Sequence, residues 1–112
     1  MKSKTILFLL LGFSVMTSAA IAVQVKGPKD MVLLGGKMGS VSFPHHRHQM
    51  ALNDCNKCHT LFPQSPGAIK AYQLQKKLKK KQVMNQCKRC HKERSDSGQK
   101  AGPVKCKGCH KK

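Results

Sequence analysis

Residues 43–59 read FPHHRHQMALNDCNKCH, and this stretch decides how the chain must fold. It carries three histidines close together and ends in the pentapeptide C-x-x-C-H. The pentapeptide recurs at residues 87–91 and 106–110, and the three copies use all six cysteines of the chain. One such motif can arise by chance, but three copies with no cysteine left over indicate a shared chemical purpose.

The spacing of each pentapeptide is the attachment signature of c-type haem. Two thiols three residues apart bond to one porphyrin, and the histidine that follows lies under the iron as its ligand. The sequence therefore predicts three covalently bound haem c groups, each with its iron. The predicted attachment residues are Cys55, Cys58, Cys87, Cys90, Cys106 and Cys109, and the predicted proximal ligands are His59, His91 and His110.

Two other uses of the cysteines compete with haem. Disulfides would staple a small exported domain, and paired cysteines also bind structural zinc. Neither alternative explains why a histidine follows every second cysteine. We therefore favour haem.

The histidines of residues 43–59 are candidates for the far side of the irons. His45 and His48 are three residues apart, so on a helix they project from nearly the same side and can reach two cofactors. His46 is rotated by about 100° from that side, and we expect it to be exposed or to support a ligand. The alternative is that all three are ordinary surface histidines, but three irons in so short a chain need sixth ligands.

The first 22 residues have the composition of a secretory signal peptide. Lys2 and Lys4 precede an apolar run, and Ala20-Ile21-Ala22 resembles a cleavage site. The run is too short to span a bilayer comfortably, although an uncleaved anchor is the alternative. We predict a periplasmic protein with one domain, residues 23–112, and no membrane insertion after cleavage.

Composition limits what can form the core of this domain. The chain has no tryptophan, one tyrosine and four phenylalanines, two of which lie in the predicted signal peptide. Because a domain this small buries only about 60% of its unfolded surface, it usually needs disulfides, a metal or a cofactor. Regular structure should be sparse. The predicted elements are a loose start at residues 23–30, a hairpin of residues 31–34 and 41–43, a helix from Pro44 to Met50 or Leu52, a helix over residues 68–81, and short loops from Lys88 onward.

The charge is strongly one-sided. The chain has 22 basic and 4 acidic residues, a formal net charge of +18. Nucleic acid is the usual partner of such a chain, but an exported protein rarely meets it, so we expect none. We expect instead a monomer that is steered electrostatically to redox proteins with acidic patches.

The motif F-P-H-x-x-H, followed by C-x-x-C-H and two further copies, resembles the three-haem cytochromes c7, which are small relatives of the four-haem cytochromes c3. The resemblance covers residues 31–112. It implies a small multihaem fold, with a short two-stranded β-hairpin and a few short α-helices around three covalent haems. It also implies that His45 pairs with His59 on the first haem and His48 with His91 on the second. The implied partners are an inner-membrane quinol oxidase and outer-membrane cytochromes.

The third haem departs from the family pattern. The family takes its distal ligand from a histidine just before the second C-x-x-C-H, but residues 83–86 read VMNQ here. Some c7-type domains use His–Met ligation at this haem, and Met84 is in place to lie opposite His110. A pentacoordinate iron, ligation by His46, and a merely hydrophobic role for Met84 are the alternatives.

The resemblance and the ligand set together predict an electron carrier. Irons with six ligands leave no open position for a substrate, so we expect no enzymatic activity beyond incidental reduction of metal ions. The alternative is a terminal reductase of soluble metal ions or oxyanions, which the basic surface would attract.

Overall fold

The computed structural model describes residues 19–112, so residues 1–18 of the predicted signal peptide lie outside the described residues. Between residue 19 and the C-terminus, no helix has both the length and the apolar character that crossing a membrane requires.

A small antiparallel sheet begins the fold. Strand β1 (Met31–Leu33) pairs with β2 (Ser40–Phe43), and a 3-10 turn at Gly36–Met38 joins them. Alternate residues of both strands are the less exposed ones, as expected for a sheet with one covered face. The predicted hairpin is confirmed. A two-residue strand, β3 (His110–Lys111), adds to β2 and brings the end of the chain to the hairpin.

Four helices contain histidines or cysteines of the motifs, and three of them are short. Helix α1 (His45–Leu52) begins directly after Pro44 and ends at Asn53, which is left-handed with φ 47°. This confirms the short helix predicted there. Single turns, α2 (Asn56–His59) and α5 (Cys106–Cys109), lie within the first and third C-x-x-C-H motifs. A helical turn places residues three apart on one side, so it suits two thiols that bond to one porphyrin.

Helix α3 (Ala68–Leu74) is shorter than the predicted helix over residues 68–81. The chain turns instead at Lys76, which has φ 57°, and the backbone N–H groups of Lys77 and Leu78 both donate to the Tyr72 carbonyl. Five lysines lie between residues 76 and 81. On a helix they would meet at like-charge i,i+3 and i,i+4 spacings, which destabilise it.

The longest helix, α4 (Gln82–Asp96), contains the whole second motif. The prediction of short loops from Lys88 onward is therefore wrong for residues 88–96. Two exposed i,i+4 ion pairs support this part of the helix, Arg89–Glu93 at 3.9 Å and Lys92–Asp96 at 2.8 Å. Their spacing is visible in the sequence, and no proline or glycine interrupts the segment.

Side chains form almost no core. In the part of the chain that the structure describes, Ala68 and Leu78 are the buried apolar residues. The half-buried apolar residues of the sheet and helices line a cleft between these elements and do not pack into a closed core. This agrees with the prediction that cofactors have to supply most of the core.

Candidate haem sites

A narrow apolar cleft, open to solvent at its mouth, lies between the sheet and the helices. Apolar side chains from β1, β2, α1, α3 and α4 line it. The six motif residues that also line it are His45, His48, Cys55, Cys58, His59 and Cys87.

The first histidine pair joins α1 to α2. The ring centroids of His45 and His59 are 6.3 Å apart, with planes inclined by 86°. Because a metal–imidazole bond is about 2.0 Å and the ring centre lies about 1 Å beyond the nitrogen, two imidazoles on opposite sides of one metal ion have centroids about 6 Å apart. Phe62 packs edge-on against His59 at 5.2 Å. The pair therefore has the separation that one iron between two imidazoles requires.

The second pair joins α1 to α4. The ring centroids of His48 and His91 are 6.1 Å apart, with planes inclined by 29°. The ring centroids of Phe43 and His48 are 4.3 Å apart, so Phe43 packs against the imidazole. One two-turn helix thus supplies a histidine to each of two pairs, the pairs that the resemblance to the cytochromes c7 implies.

The ring nitrogens of the predicted histidine ligands all have the same orientation. In each, Nδ1 lies within hydrogen-bond distance of a backbone carbonyl. Because a carbonyl only accepts, Nδ1 carries the proton and Nε2 keeps the lone pair that binds a metal. The donor set therefore fits haem iron. The pairs are His45 to Pro28 at 3.1 Å, His48 to Pro44 at 2.9 Å, His59 to Phe62 at 3.2 Å, His91 to Pro103 at 2.8 Å, and His110 to Gly39 at 3.0 Å.

His46 has the opposite orientation. Its Nε2 donates to the Gly27 carbonyl at 2.9 Å, so the nitrogen that the other histidines leave free is already engaged. This contact favours the supporting role expected for His46 over the alternative in which it binds the third iron.

Burial favours the metal-binding form of His48. Desolvation lowers the pKa of its imidazole, and the nearby His91 and His45 rings act in the same direction, while the hydrogen bond to Pro44 opposes them. A lowered pKa keeps the ring neutral over a wider pH range. Neutral imidazole is the form that coordinates metal ions.

The thiols of the three motifs lie close together. Burial raises the pKa of the Cys87 thiol to about 11, and the neighbouring Cys58 and Cys109 thiols contribute to the increase. Burial also raises the pKa of Cys58, with a further contribution from Cys90. None of the six cysteines forms a disulfide, so all six are available for attachment. Since cysteines of different motifs influence one another, the three attachment sites are close in space.

A glycine permits the backbone to approach the second pair. A Cβ atom on Gly102 would lie 2.5 Å from Cε1 of His91, so any larger residue has to displace the ring. Pro103, the next residue, supplies the carbonyl that His91 donates to. Sequence reasoning missed both residues. The GP dipeptide marks a turn, but it does not show which histidine the turn contacts.

The third site is built on β3. His110 lies opposite Val41 in the sheet, and its Nδ1 donates to the Gly39 carbonyl. Met84 lies in the first turn of α4, is 39% exposed, and is not among the residues that line the cleft, whereas Val83 is. The pairing of Met84 with His110 stays a prediction.

Comparison with known proteins decides the family. Residues 41–111 match the family "Cytochrome c7 and related cytochrome c". The chain belongs to the cytochrome c7 family. A curated cytochrome c7 from Geobacter metallireducens is 35% identical over 101 residues, which cover 88% of this chain and 97% of that protein. A curated cytochrome c3 from Desulfuromonas acetoxidans is 35% identical over 81 residues, which cover 72% and 96%.

Solved structures of the family show the same fold. The triheme cytochrome PpcA from Geobacter sulfurreducens is 40% identical, with a TM-score of 0.52 over 76% of this chain and all of that one. The cytochrome c7 PpcE from the same organism is 32% identical, with a TM-score of 0.51 over 74% and 97%. Membership confirms the predicted small multihaem fold and the three covalently bound c haems, and it makes this chain a multihaem electron-transfer protein.

Proposed function

We propose that this cytochrome c7 relays single electrons in the periplasm, through its three haems, between membrane-associated redox partners. The observation that carries the proposal is the pairing of imidazoles at 6.1 and 6.3 Å, in which all four rings use Nδ1 for the hydrogen bond to a carbonyl and keep Nε2 for a metal. The thioether bonds are assigned to Cys55, Cys58, Cys87, Cys90, Cys106 and Cys109.

The ligand assignment gives each side chain a defined role. His59, His91 and His110 follow their cysteines and bind the proximal sides, while His45 and His48 bind the distal sides of the first two irons. Haem c supplies a one-electron couple. Two imidazoles on one iron leave no position for a substrate, which supports electron transfer rather than catalysis. Met84 is assigned to the third iron, opposite His110.

The basic surface supports acidic partners. Residues 23–112 lack Lys2 and Lys4 of the predicted signal peptide and carry a formal charge of +16, which would accelerate encounter with a negatively charged redox protein. The signal peptide predicted for residues 1–22 supports export to the periplasm, where a membrane quinol oxidase and outer-membrane cytochromes are the partners that we propose.

Two measurements on the exported, haem-loaded protein test this function. Electron transfer to an acidic cytochrome should slow markedly as salt rises, because screening removes steering beyond a Debye length of roughly 8 Å at physiological ionic strength. An uncharged redox mediator is the control and should show no such dependence. A rate that salt leaves unchanged would mean that the lysines do not guide the partner.

Carbon monoxide distinguishes a carrier from the reductase alternative. The reduced protein should bind carbon monoxide poorly at the two haems with paired imidazoles. Prompt binding at these haems, together with multiple turnovers of a metal ion or oxyanion, would contradict the proposal and favour a terminal reductase.

A further inference from the structure

Residues 26–29, which we call the strap, precede β1 and lie against helix α1. The segment was predicted to be loose. Instead the backbone N–H of Lys26 donates to Oε1 of Gln49 at 3.2 Å, and Nε2 of Gln49 donates back to the Lys26 carbonyl at 3.1 Å. One glutamine side chain therefore satisfies both backbone groups of Lys26 and fixes one end of the strap to α1.

The rest of the strap presents three consecutive carbonyls to the beginning of α1. The Gly27 carbonyl accepts from Nε2 of His46 at 2.9 Å, and the Pro28 carbonyl accepts from Nδ1 of His45 at 3.1 Å. The Lys29 carbonyl accepts from the backbone N–H of His46 at 3.1 Å, one of the N–H groups that the first turn of a helix leaves without an intrahelical partner.

The strap is suited by sequence to this path. Gly27 has φ 75°, a conformation that residues other than glycine rarely adopt. It also lies close to the His45 ring, since a Cβ added to Gly27 would be 3.7 Å from Cε1 of His45. Pro28 follows and restricts its own φ. Both residues reduce the conformational freedom of the strap before it contacts α1.

We propose that the strap, anchored by Gln49 and His46, positions the His45 imidazole and lowers the reduction potential of the first haem selectively. The inference rests on the proposed ligation of that haem by His45. A hydrogen bond from Nδ1 to a carbonyl fixes the ring orientation and raises the basicity of Nε2. A more basic ligand stabilises ferric iron, so the potential falls. The strap does not contact His48 in this way, because Nδ1 of His48 donates to the carbonyl of Pro44, directly before its own helix. We therefore expect the strap to change the potential of the first haem and not that of the second.

The test compares Gln49→Ala with the parent, both as full-length, haem-loaded protein. Loss of the two Gln49 hydrogen bonds should free the strap and increase hydrogen exchange of the His46 backbone amide about tenfold. The first haem should then titrate at a higher potential, with the other two unchanged. Gln99→Ala is the matched control, because Gln99 is an exposed glutamine beyond α4, and it should change neither measurement.

Two results would overturn the proposal: unchanged exchange in Gln49→Ala, or faster exchange with the first potential unchanged. If Gln49→Ala fails to fold, Gln49→Met replaces it. Methionine is similar in length and uncharged but makes neither hydrogen bond to Lys26, so both effects should again be present. A second variant, His45→Ala, tests the ligation of the first haem separately. If His45→Ala leaves the low-spin signals of the parent intact, the ligand assignment fails, whereas an intact assignment with no response to Gln49→Ala refutes the strap alone.

Discussion

The imidazole rings of His48 and His91 lie 6.1 Å apart between centroids, on helices that meet nowhere else through a salt bridge or ring contact in residues 19–112. Each ring is held from behind by a carbonyl, that of Pro44 for His48 and that of Pro103 for His91. Because each Nδ1 donates to a carbonyl, the Nε2 atoms of both rings keep the lone pair that binds a metal. The pair is therefore a candidate ligand set for one iron, contributed by two segments that are far apart in the sequence.

His48→Ala should open the second haem. The iron loses one imidazole while His91 remains, so the reduced variant should bind carbon monoxide promptly at one haem of three. Arg47→Lys is the control, because Arg47 is an exposed residue of the same helix and has no part in the proposed ligation. If His48→Ala binds no more carbon monoxide than the parent, His48 is not a ligand.

Gly102→Ala should disturb the same haem by a steric route. The added Cβ would meet Cε1 of His91 at 2.5 Å, and an iron-bound ring cannot move away freely. We expect a loss of stability of about 1–3 kcal/mol, as for overpacking elsewhere. Thermal unfolding of the haem-loaded protein measures it. The neighbouring exposed variant Ala101→Ser should unfold like the parent, and an equally stable Gly102→Ala would show that the approach to His91 is not tight.

Replacing Cys87 and Cys90 together by alanine should prevent both attachment of the second haem and folding. Side chains supply almost no core, since Ala68 and Leu78 are the buried apolar residues of the described chain. Intact mass should show the loss of one haem, and limited proteolysis should show rapid digestion. Ser95→Ala, on the exposed side of α4, is the control. A compact, protease-resistant double variant would mean that the second haem is not part of the core.

Met84→His tests the third haem. Thioether is a weaker donor to ferric iron than imidazole, so His–Met ligation should make this haem the easiest of the three to reduce. Axial ligands and surroundings spread haem potentials over roughly 0.8 V, which leaves room for a clear separation. The oxidised parent should show a methionine–iron charge-transfer band in the near infrared, and the variant should lose both the band and the high-potential step.

Met50→Leu is the control for this experiment. Met50 lies in α1, is 63% exposed, and is away from the predicted ligand position, so its loss should leave the band intact. If the parent lacks the band and its three haems titrate at similar low potentials, Met84 is not a ligand.

Features that depend on residues close together in the chain could be predicted from the sequence. Each C-x-x-C-H motif predicts one haem attachment site, because the two thiols and the histidine lie within five consecutive residues. The spacing of His45 and His48 likewise indicated one helix serving two irons, and the small number of aromatic residues indicated a core made of cofactor. Even the error at residues 88–96 was local, since the ion pair Arg89–Glu93 follows a spacing that the sequence displays.

Tertiary structure alone decided how distant segments complete the sites. The carbonyls of Pro28 and Pro103 hold His45 and His91, and the Gly39 carbonyl holds His110. Every residue has such a carbonyl, so no residue type marks the ones that orient a ligand. Only the folded chain brings these acceptors to their imidazoles, because their positions depend on contacts across the whole domain.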